Sequence, residues 1–304
     1  MKTAEIVRRA FEKGLVVPAF NIPHLPMLEP VAQAVADENT VAMIQVARLE
    51  WEKFDAQSLE RIAQEYAKFE KPGHTLLHLD HVPVIDEDHQ KVDYLSILRR
   101  AVAAGYQSLM VDASRLSLQE NIRATAEAAA LAHAAGLPIE AELGAVMGHE
   151  TSQQAIPYEE IFRNKTGFTD VEEARRFVHE TGCDWLSVAV GSVHGAIAQG
   201  MLDRKKPDAR LDIGHIRALR QAVSIPLVLH GGSGIQQEYI TRGIAEGIAK
   251  INVGTEIRQP YERVIAQDGG VLRAQEAVYH RTRELIRDFL GMRDSAGLLL
   301  PDAR

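Results

Sequence analysis

The feature that most constrains the fold is an alternation of short β-rich runs with longer helical segments along nearly the whole chain. Segments such as Leu118–Ala135 and Val171–Glu180 are rich in Ala, Glu and Arg, and Gly105, Gly136, Gly182 and Gly247 mark predicted helix ends. Strands that alternate with helices pair in parallel, and eight such units predict a closed (β/α)8 barrel. The eight predicted strands are Val16–Asn21, Val41–Ala47, Thr75–Asp80, Gln107–Asp112, Pro138–Leu143, Asp184–Val190, Pro226–His230 and Ala249–Val253.

A doubly wound open sheet is the alternative architecture. The barrel is favoured because there are eight units and because no G-x-G-x-x-G follows the first strand. The 304 residues fit one barrel, and no linker or low-complexity tract divides them, so we expect a single domain over residues 1–304. An extra C-terminal helical extension is predicted from about 271 to 304, and its apolar end, Leu298–Leu300, would pack on the barrel or on a second subunit. The long connection from Gly144 to Gly167 is typical of a lid or binding loop.

Composition narrows the class of partner. A net charge of −8 argues against general binding to nucleic acid or to an anionic membrane, although a locally positive site could still hold a phosphorylated substrate. No apolar stretch approaches the ~20 residues that span a bilayer, and the N-terminus lacks a signal-peptide core. The single cysteine, Cys183, excludes an internal disulfide framework and suits a reducing compartment. These features predict a cytoplasmic protein that acts on a small molecule.

Reactive side chains collect at the predicted carboxyl ends of the strands, where barrels of this kind carry out chemistry. Three of the 12 histidines, namely His81, His194 and His230, fall at such ends, and together they would leave a zinc ion with an open position. The Gly231–Gly234 turn (GGSG) exposes backbone N–H groups and a hydroxyl, as a phosphate site requires. His78 lies inward of the rim and is expected behind the metal ligands, and Asp112 is either chemical or a helix cap.

Five motifs in chain order make these positions specific. They are His78–His81 (HLDH), Glu140–Gly144 (EAELG), Val188–Gly195 (VAVGSVHG), Leu227–Gly234 (LVLHGGSG) and Ile251–Glu256 (INVGTE). This series resembles that of the class II ketose-bisphosphate aldolases, which include the fructose- and tagatose-bisphosphate aldolases, and the resemblance covers Val16 to Arg258. It implies a zinc-dependent carbon–carbon lyase on a (β/α)8 barrel, which cleaves a ketose phosphate to dihydroxyacetone phosphate and an aldehyde.

The resemblance also implies roles for individual residues. One zinc per chain would be bound by His81, His194 and His230, with Glu142 beside it as a possible alternate ligand. Asp80 would exchange a proton with the oxygen at the bond being cleaved, and Glu150, on the long loop, would transfer the proton at the nucleophilic carbon. Asn252 would contact the enediolate. The implied substrate- and phosphate-binding residues are Asn21, Gly195, Gly231, Ser233, Gly254, Thr255 and Arg258, with a monovalent cation, Na⁺ or K⁺, near the phosphate. A homo-oligomer, dimer or tetramer, is also implied.

Two departures from the family pattern concern the far end of the substrate. After the second strand, Ala47 stands where the family usually has a serine that helps to bind the distal phosphate. Gly254 stands where fructose-bisphosphate aldolases carry aspartate. The first phosphate site is intact, so we expect a ketose 1-phosphate whose distal end is not a standard phosphate; Arg48 and Arg204–Lys206 are further cations that could meet another acid there.

Other chemistries fit these residues less well than a class II aldolase does. A Schiff-base mechanism needs a lysine on the rim, but the sixth strand carries none and Lys250 lies near the start of the eighth. A zinc-dependent isomerase or hydrolase could use the same constellation, and a non-catalytic partner subunit could carry it as a remnant. The completeness of the set, from Asp80 through the three histidines to Asn252, argues against a remnant.

Overall fold

The computed structural model describes residues 2–144, 158–192, 209–232 and 234–300. Eight parallel strands form a closed barrel in which each strand pairs with its neighbours in sequence and β8 pairs with β1. The predicted barrel is therefore confirmed, and every strand end lies within two residues of its predicted position. The strands are β1 (Val17–Asn21), β2 (Ala42–Val46), β3 (Thr75–Leu79), β4 (Ser108–Val111), β5 (Ile139–Leu143), β6 (Trp185–Val188), β7 (Leu227–Leu229) and β8 (Ile248–Val253).

Helices precede, connect and follow the strands. Several begin at a residue whose side chain accepts a backbone N–H, as Asp170 does from Glu172 and Glu173, and end at a glycine with positive φ, such as Gly105 and Gly182. The helices are α1 (Thr3–Lys13), α2 (Leu28–Asp37), α3 (Arg48–Lys53), α4 (Leu59–Phe69), α5 (Tyr94–Ala104), α6 (Leu118–Ala134), α7 (Tyr158–Asn164), α8 (Val171–Thr181), α9 (Ile213–Val223), α10 (Gln237–Ala245), α11 (Thr255–Ala266), α12 (Gly270–Glu284) and α13 (Ala296–Leu299). No helix in the described part of the chain is long and apolar enough to cross a membrane.

The C-terminal extension packs on the barrel's helical layer. Helix α12 lies against α2 and α11, and a π-helical turn at Leu285–Phe289 follows it. The short α13 contacts α1, and Leu299 at its end is fully buried. Leu298, in the same apolar end, is half exposed.

The interior of the barrel is partly polar. Barrel cores are usually filled by branched aliphatic side chains. Here, six polar or charged side chains are fully buried on six different strands, and buried polar groups require partners. They are Gln45, His78, Ser108, Glu140, Ser187 and Lys250.

Candidate active site

A histidine–carboxylate cluster lies at the carboxyl ends of β3 and β7. One side-chain nitrogen or oxygen from each of Asp80, His81 and His230 lies within 4.8 Å of the others, and the same holds for His81, Asp112 and Glu142. The rings of His81 and His230 are 4.4 Å apart, centre to centre. Imidazole nitrogens and carboxylate oxygens are the ligands that zinc takes in catalytic sites. The described residues thus bring together two of the three predicted zinc ligands.

The surroundings of His230 fit a bound cation. Its Nδ1 lies 3.0 Å from Glu142 Oε2, and its Nε2 lies 2.8 Å from Glu140 Oε1. A neutral imidazole has one N–H, so it can donate to only one of two carboxylates. The second contact requires an additional positive charge, either a proton on the ring or a metal ion between His230 and Glu142.

His81 is oriented by Asp112. Its Nδ1 lies 3.2 Å from Asp112 Oδ2, while Ser114 donates from its backbone N–H and its hydroxyl to Asp112 Oδ1. Burial alone would lower the pKa of His81, but Asp80, Asp112 and Glu142 outweigh it and raise that pKa to about 10. The negative charge around this imidazole again favours a cation in the cluster.

Asp80 is held by two amides. Asn21 Nδ2 donates to one carboxylate oxygen at 2.8 Å, and Asn252 Nδ2 donates to the other at 3.0 Å. Burial would raise the pKa of Asp80, but the charges of His81 and Lys250 outweigh it and hold that pKa well below its usual range. Asp80 is therefore an ionised carboxylate at the edge of the cluster, with both of its oxygens held by amides.

Comparison with known proteins identifies the family. The sequence profile of the family described as "Fructose-bisphosphate aldolase class-II" matches residues 1–292. The chain belongs to this family of class II aldolases. It is therefore a carbon–carbon lyase. Family membership favours this activity over the isomerase, hydrolase and non-catalytic alternatives.

Solved structures agree with the family. The YdjI aldolase from Escherichia coli K12 shares 28% identity at a TM-score of 0.73, covering 97% of this chain and 99% of that one. A candidate fructose-1,6-bisphosphate aldolase from Coccidioides immitis shares 26% identity at a TM-score of 0.74, covering 98% of both chains. The fructose-bisphosphate aldolase from Campylobacter jejuni, at 18% identity and a TM-score of 0.68 over 95% of this chain and 94% of that one, shares the fold.

Three of the predicted phosphate-binding residues of this aldolase, Gly231, Gly254 and Thr255, lie at the ends of the adjacent strands β7 and β8. Gly231 follows His230 at the end of β7 with φ of 68°, a conformation that favours glycine. Gly254 follows β8, and Thr255 begins α11. The predicted residues His194, Glu150, Gly195 and Ser233, and the basic run Arg204–Lys206, lie outside the described residues.

Arg258, on the first turn of α11, is already paired. Its Nη1 donates to Glu262 Oε2 at 2.6 Å, and its guanidinium lies over the ring of Phe54 at 5.1 Å. The other oxygen of Glu262 lies 3.0 Å from His24 Nε2. The resemblance places Arg258 among the substrate- and phosphate-binding residues, but its pairing with Glu262 was not predicted.

Two residues that shape the site, Gln45 and Glu50, were not predicted, and a third, Asp112, was left open between a chemical role and a helix cap. Asp112 orients His81, as described above, and Gln45 donates to Asn21 Oδ1 at 2.8 Å. Glu50 accepts from the Ala47 N–H at 2.8 Å and lies 3.4 Å from Asn21 Nδ2. Asp112 was visible as a carboxylate at a strand end. Gln45 and Glu50 gave no sequence signal, because their roles depend on contacts across different elements.

Glu50 gives a pH-dependent prediction. Burial raises its pKa from 4.5 to about 8. The folded protein therefore keeps this proton to higher pH than the unfolded chain, and its stability should fall as pH rises from about 4.5 to about 8. Glu50→Gln keeps an acceptor for Ala47 but has no such proton. We expect the free energy of unfolding of this variant, measured with urea on metal-free protein, to rise relative to that of wild type by roughly 1 kcal/mol or more between pH 5 and pH 8. If variant and wild type differed in unfolding free energy by the same amount at both pH values, the raised pKa of Glu50 would be contradicted.

Proposed function

We propose that this aldolase uses one zinc ion, held by His81, His230 and His194, to cleave a ketose 1-phosphate into dihydroxyacetone phosphate and an aldehyde. The observation that carries the proposal is the cluster of Asp80, His81 and His230 at the rim of the barrel, in which Asp80 and His230 are buried and His81 is partly exposed. When bound, zinc would polarise the ketone and stabilise the negative charge that develops on cleavage. His194 enters through the family motif alone.

The residues of this chain divide the remaining work. Asp80, fixed by Asn21 and Asn252, would accept the proton of the hydroxyl on the carbon that becomes the aldehyde, and would return it in the direction of synthesis. Glu150 would exchange the proton at the nucleophilic carbon. The phosphate of dihydroxyacetone phosphate would lie on the backbone and hydroxyls of Gly195, Gly231, Ser233, Gly254 and Thr255, with Na⁺ or K⁺ as the accompanying cation.

The distal end of the substrate is proposed to differ from a phosphate, first because of Ala47. This residue has no hydroxyl to donate, and its backbone N–H is already bonded to the Glu50 carboxylate. Arg48, the neighbouring cation, lies 3.4 Å from Asp86. The Ala47 N–H and the Arg48 guanidinium at the start of α3 are therefore already paired, which leaves few donors for a second phosphate.

The pairing of Arg258 supports the same proposal. The Glu262 carboxylate, 2.6 Å from the Arg258 guanidinium, offsets its positive charge and so weakens its attraction for a further anion. The surrounding groups, Glu262, His24 and the ring of Phe54, offer hydrogen-bond acceptors and an aromatic face instead. Such a surface suits a polyol or a singly charged acid better than a phosphate dianion.

Gly254 leaves room at this end of the site. Its φ of −118° is open to any residue, and an added Cβ would meet Asn21 only at 3.6 Å, an ordinary contact. Neither backbone strain nor crowding explains the glycine. We propose that the missing side chain gives space to a longer or differently substituted tail.

The test is a comparison of kcat/KM among ketose phosphates. We expect ketose 1-phosphates with polyol or carboxylate tails to be better substrates than fructose or tagatose 1,6-bisphosphate. A lost hydrogen bond to a charged group costs about 1.5–3 kcal/mol, or roughly 10–150-fold. Turnover of either bisphosphate at ~10⁵ M⁻¹s⁻¹ or better, in the range of efficient natural substrates, would contradict the proposed tail.

Two variants sharpen this comparison. Ala47→Ser supplies the missing donor and Glu262→Gln releases the charge of Arg258, so each should improve the bisphosphates relative to the 1-phosphates by about tenfold or more. Glu238→Gln, on the exposed face of α10, is the matched control and should leave the ratio unchanged.

Cytoplasmic location and a dimeric or tetrameric state are the remaining expectations. Light scattering measures the oligomeric state.

A further inference from the structure

Lys250 lies beneath the active site without a part in the chemistry proposed above. It is the third residue of β8, and its side chain is fully buried inside the barrel. The ammonium Nζ is 2.7 Å from Asn252 Oδ1, 2.9 Å from Glu140 Oε2 and 4.0 Å from Asp80 Oδ1. A buried ammonium is costly unless it is paired, and these oxygens pair it. The lysine thus belongs to the polar interior, not to a Schiff-base site on the rim.

The ammonium decides which way the amide of Asn252 points. Lysine offers only donors, so the atom of Asn252 that faces it must be the carbonyl oxygen. The amide nitrogen is then turned toward Asp80, to which it donates at 3.0 Å. The flipped amide would set two donors against each other and an oxygen against the carboxylate. Lys250 therefore fixes the orientation of a residue that holds Asp80.

The same ammonium orients Glu140. It contacts Oε2, which leaves Oε1 facing His230 Nε2 at 2.8 Å. With Oε1 hydrogen-bonded to His230 and Oε2 in an ion pair with the ammonium, the carboxylate cannot rotate without losing a contact. A carboxylate behind a metal-binding histidine sets the orientation of the ring and the nitrogen that ligates, here Nδ1, which faces Glu142 and the cluster.

We infer that Lys250 is a positioning residue that orients Asn252 toward Asp80 and Glu140 toward His230, and so aligns the acid–base carboxylate with the metal-binding histidine. The inference rests on the proposed function, because it assigns His230 as a zinc ligand. Through this one side chain at the bottom of the barrel, the Asn252–Asp80 pair is linked to the Glu140–His230 pair.

The test variant is Lys250→Met, which keeps the length of the side chain and removes its donors. We expect zinc affinity, measured by competition with a chelator, to fall 10–100-fold, as when other groups behind metal ligands are lost. At saturating zinc, the exchange of the C3 proton of dihydroxyacetone phosphate should still be slowed at least ~10-fold, because the amide of Asn252, which would contact the enediolate, is no longer oriented.

A second variant separates positioning from folding. Lys250→Met/Glu140→Gln leaves no unpaired charge in the interior, and its glutamine can accept from His230, so we expect wild-type thermal stability and zinc affinity within about tenfold of wild type. Exchange should remain slow, since Asn252 is still not oriented. Ser108→Ala is the matched control: it removes the partner of His78 Nδ1 in the same interior without touching Glu140 or Asn252, and should keep wild-type zinc affinity.

Three outcomes would overturn the inference. They are wild-type zinc affinity and exchange in Lys250→Met, wild-type exchange in the double variant, and an equal loss of zinc affinity in Ser108→Ala. If the wild-type protein itself binds no zinc, the proposed metal centre is wrong instead, and the exchange rates alone decide the role of Lys250.

Discussion

Removal of metal is expected to abolish cleavage, and added zinc is expected to restore it. The open three-ligand pattern predicts about one zinc per chain by elemental analysis. The loss should be complete because the carboxylates around His81 and His230 cannot take over the role of a cation in stabilising developing negative charge. His230→Asn should lose both metal and activity.

An exposed histidine provides the control for this experiment. His280 lies on the surface of α12, and His280→Asn should retain metal and activity. Asp112→Asn should be intermediate, with zinc affinity reduced 10–100-fold and activity restored by excess zinc, because Asp112 orients His81. Full activity of exhaustively chelated protein would show that the metal assignment is wrong.

Asp80→Asn is expected to reduce ketose cleavage by 10²–10⁴-fold while largely preserving bound zinc. This is the usual range for loss of a general acid or base, and the asparagine cannot accept the hydroxyl proton. The measurement is single-turnover cleavage of the best ketose 1-phosphate, with zinc content determined on the same sample. Wild-type cleavage in this variant, or loss of zinc equal to that in His230→Asn, would contradict the assigned role.

Proton exchange separates Asp80 from the loop carboxylate. Asp80→Asn should still exchange the C3 proton of dihydroxyacetone phosphate, because that step does not involve the bond being cleaved. Glu150→Gln should slow this exchange by 10²–10⁴-fold. Equal exchange in wild type and Glu150→Gln would refute the assignment of Glu150 and leave that of Asp80 intact.

Much of the site could be anticipated from the sequence because strand ends in a parallel barrel share one rim. His81 and His230 are separated by 149 positions in the chain, yet both follow a buried apolar strand, and closure of the barrel brings their rings to 4.4 Å. Asp80 and Asn252 could be placed by the same reasoning. Local pattern sufficed, since the position of a side chain along its strand determines which end of the barrel it occupies.

Partners across the barrel could not be anticipated in the same way. The contact of Lys250 with Glu140 joins β8 to β5, and that of Glu262 with His24 joins α11 to the segment after β1. Both depend on side-chain rotamers, and the first also depends on the stagger of strands. A one-residue change in register would turn these side chains to the other face.

The sequence by itself determined the barrel, its strand boundaries and the rim on which chemistry occurs, because hydrophobic periodicity and helix-ending glycines act within a few residues. Only the tertiary structure decided which carboxylate orients which histidine and that Lys250 lies beneath the site. These facts arise from buried polar groups finding partners on distant elements, and that selection is made when the barrel closes.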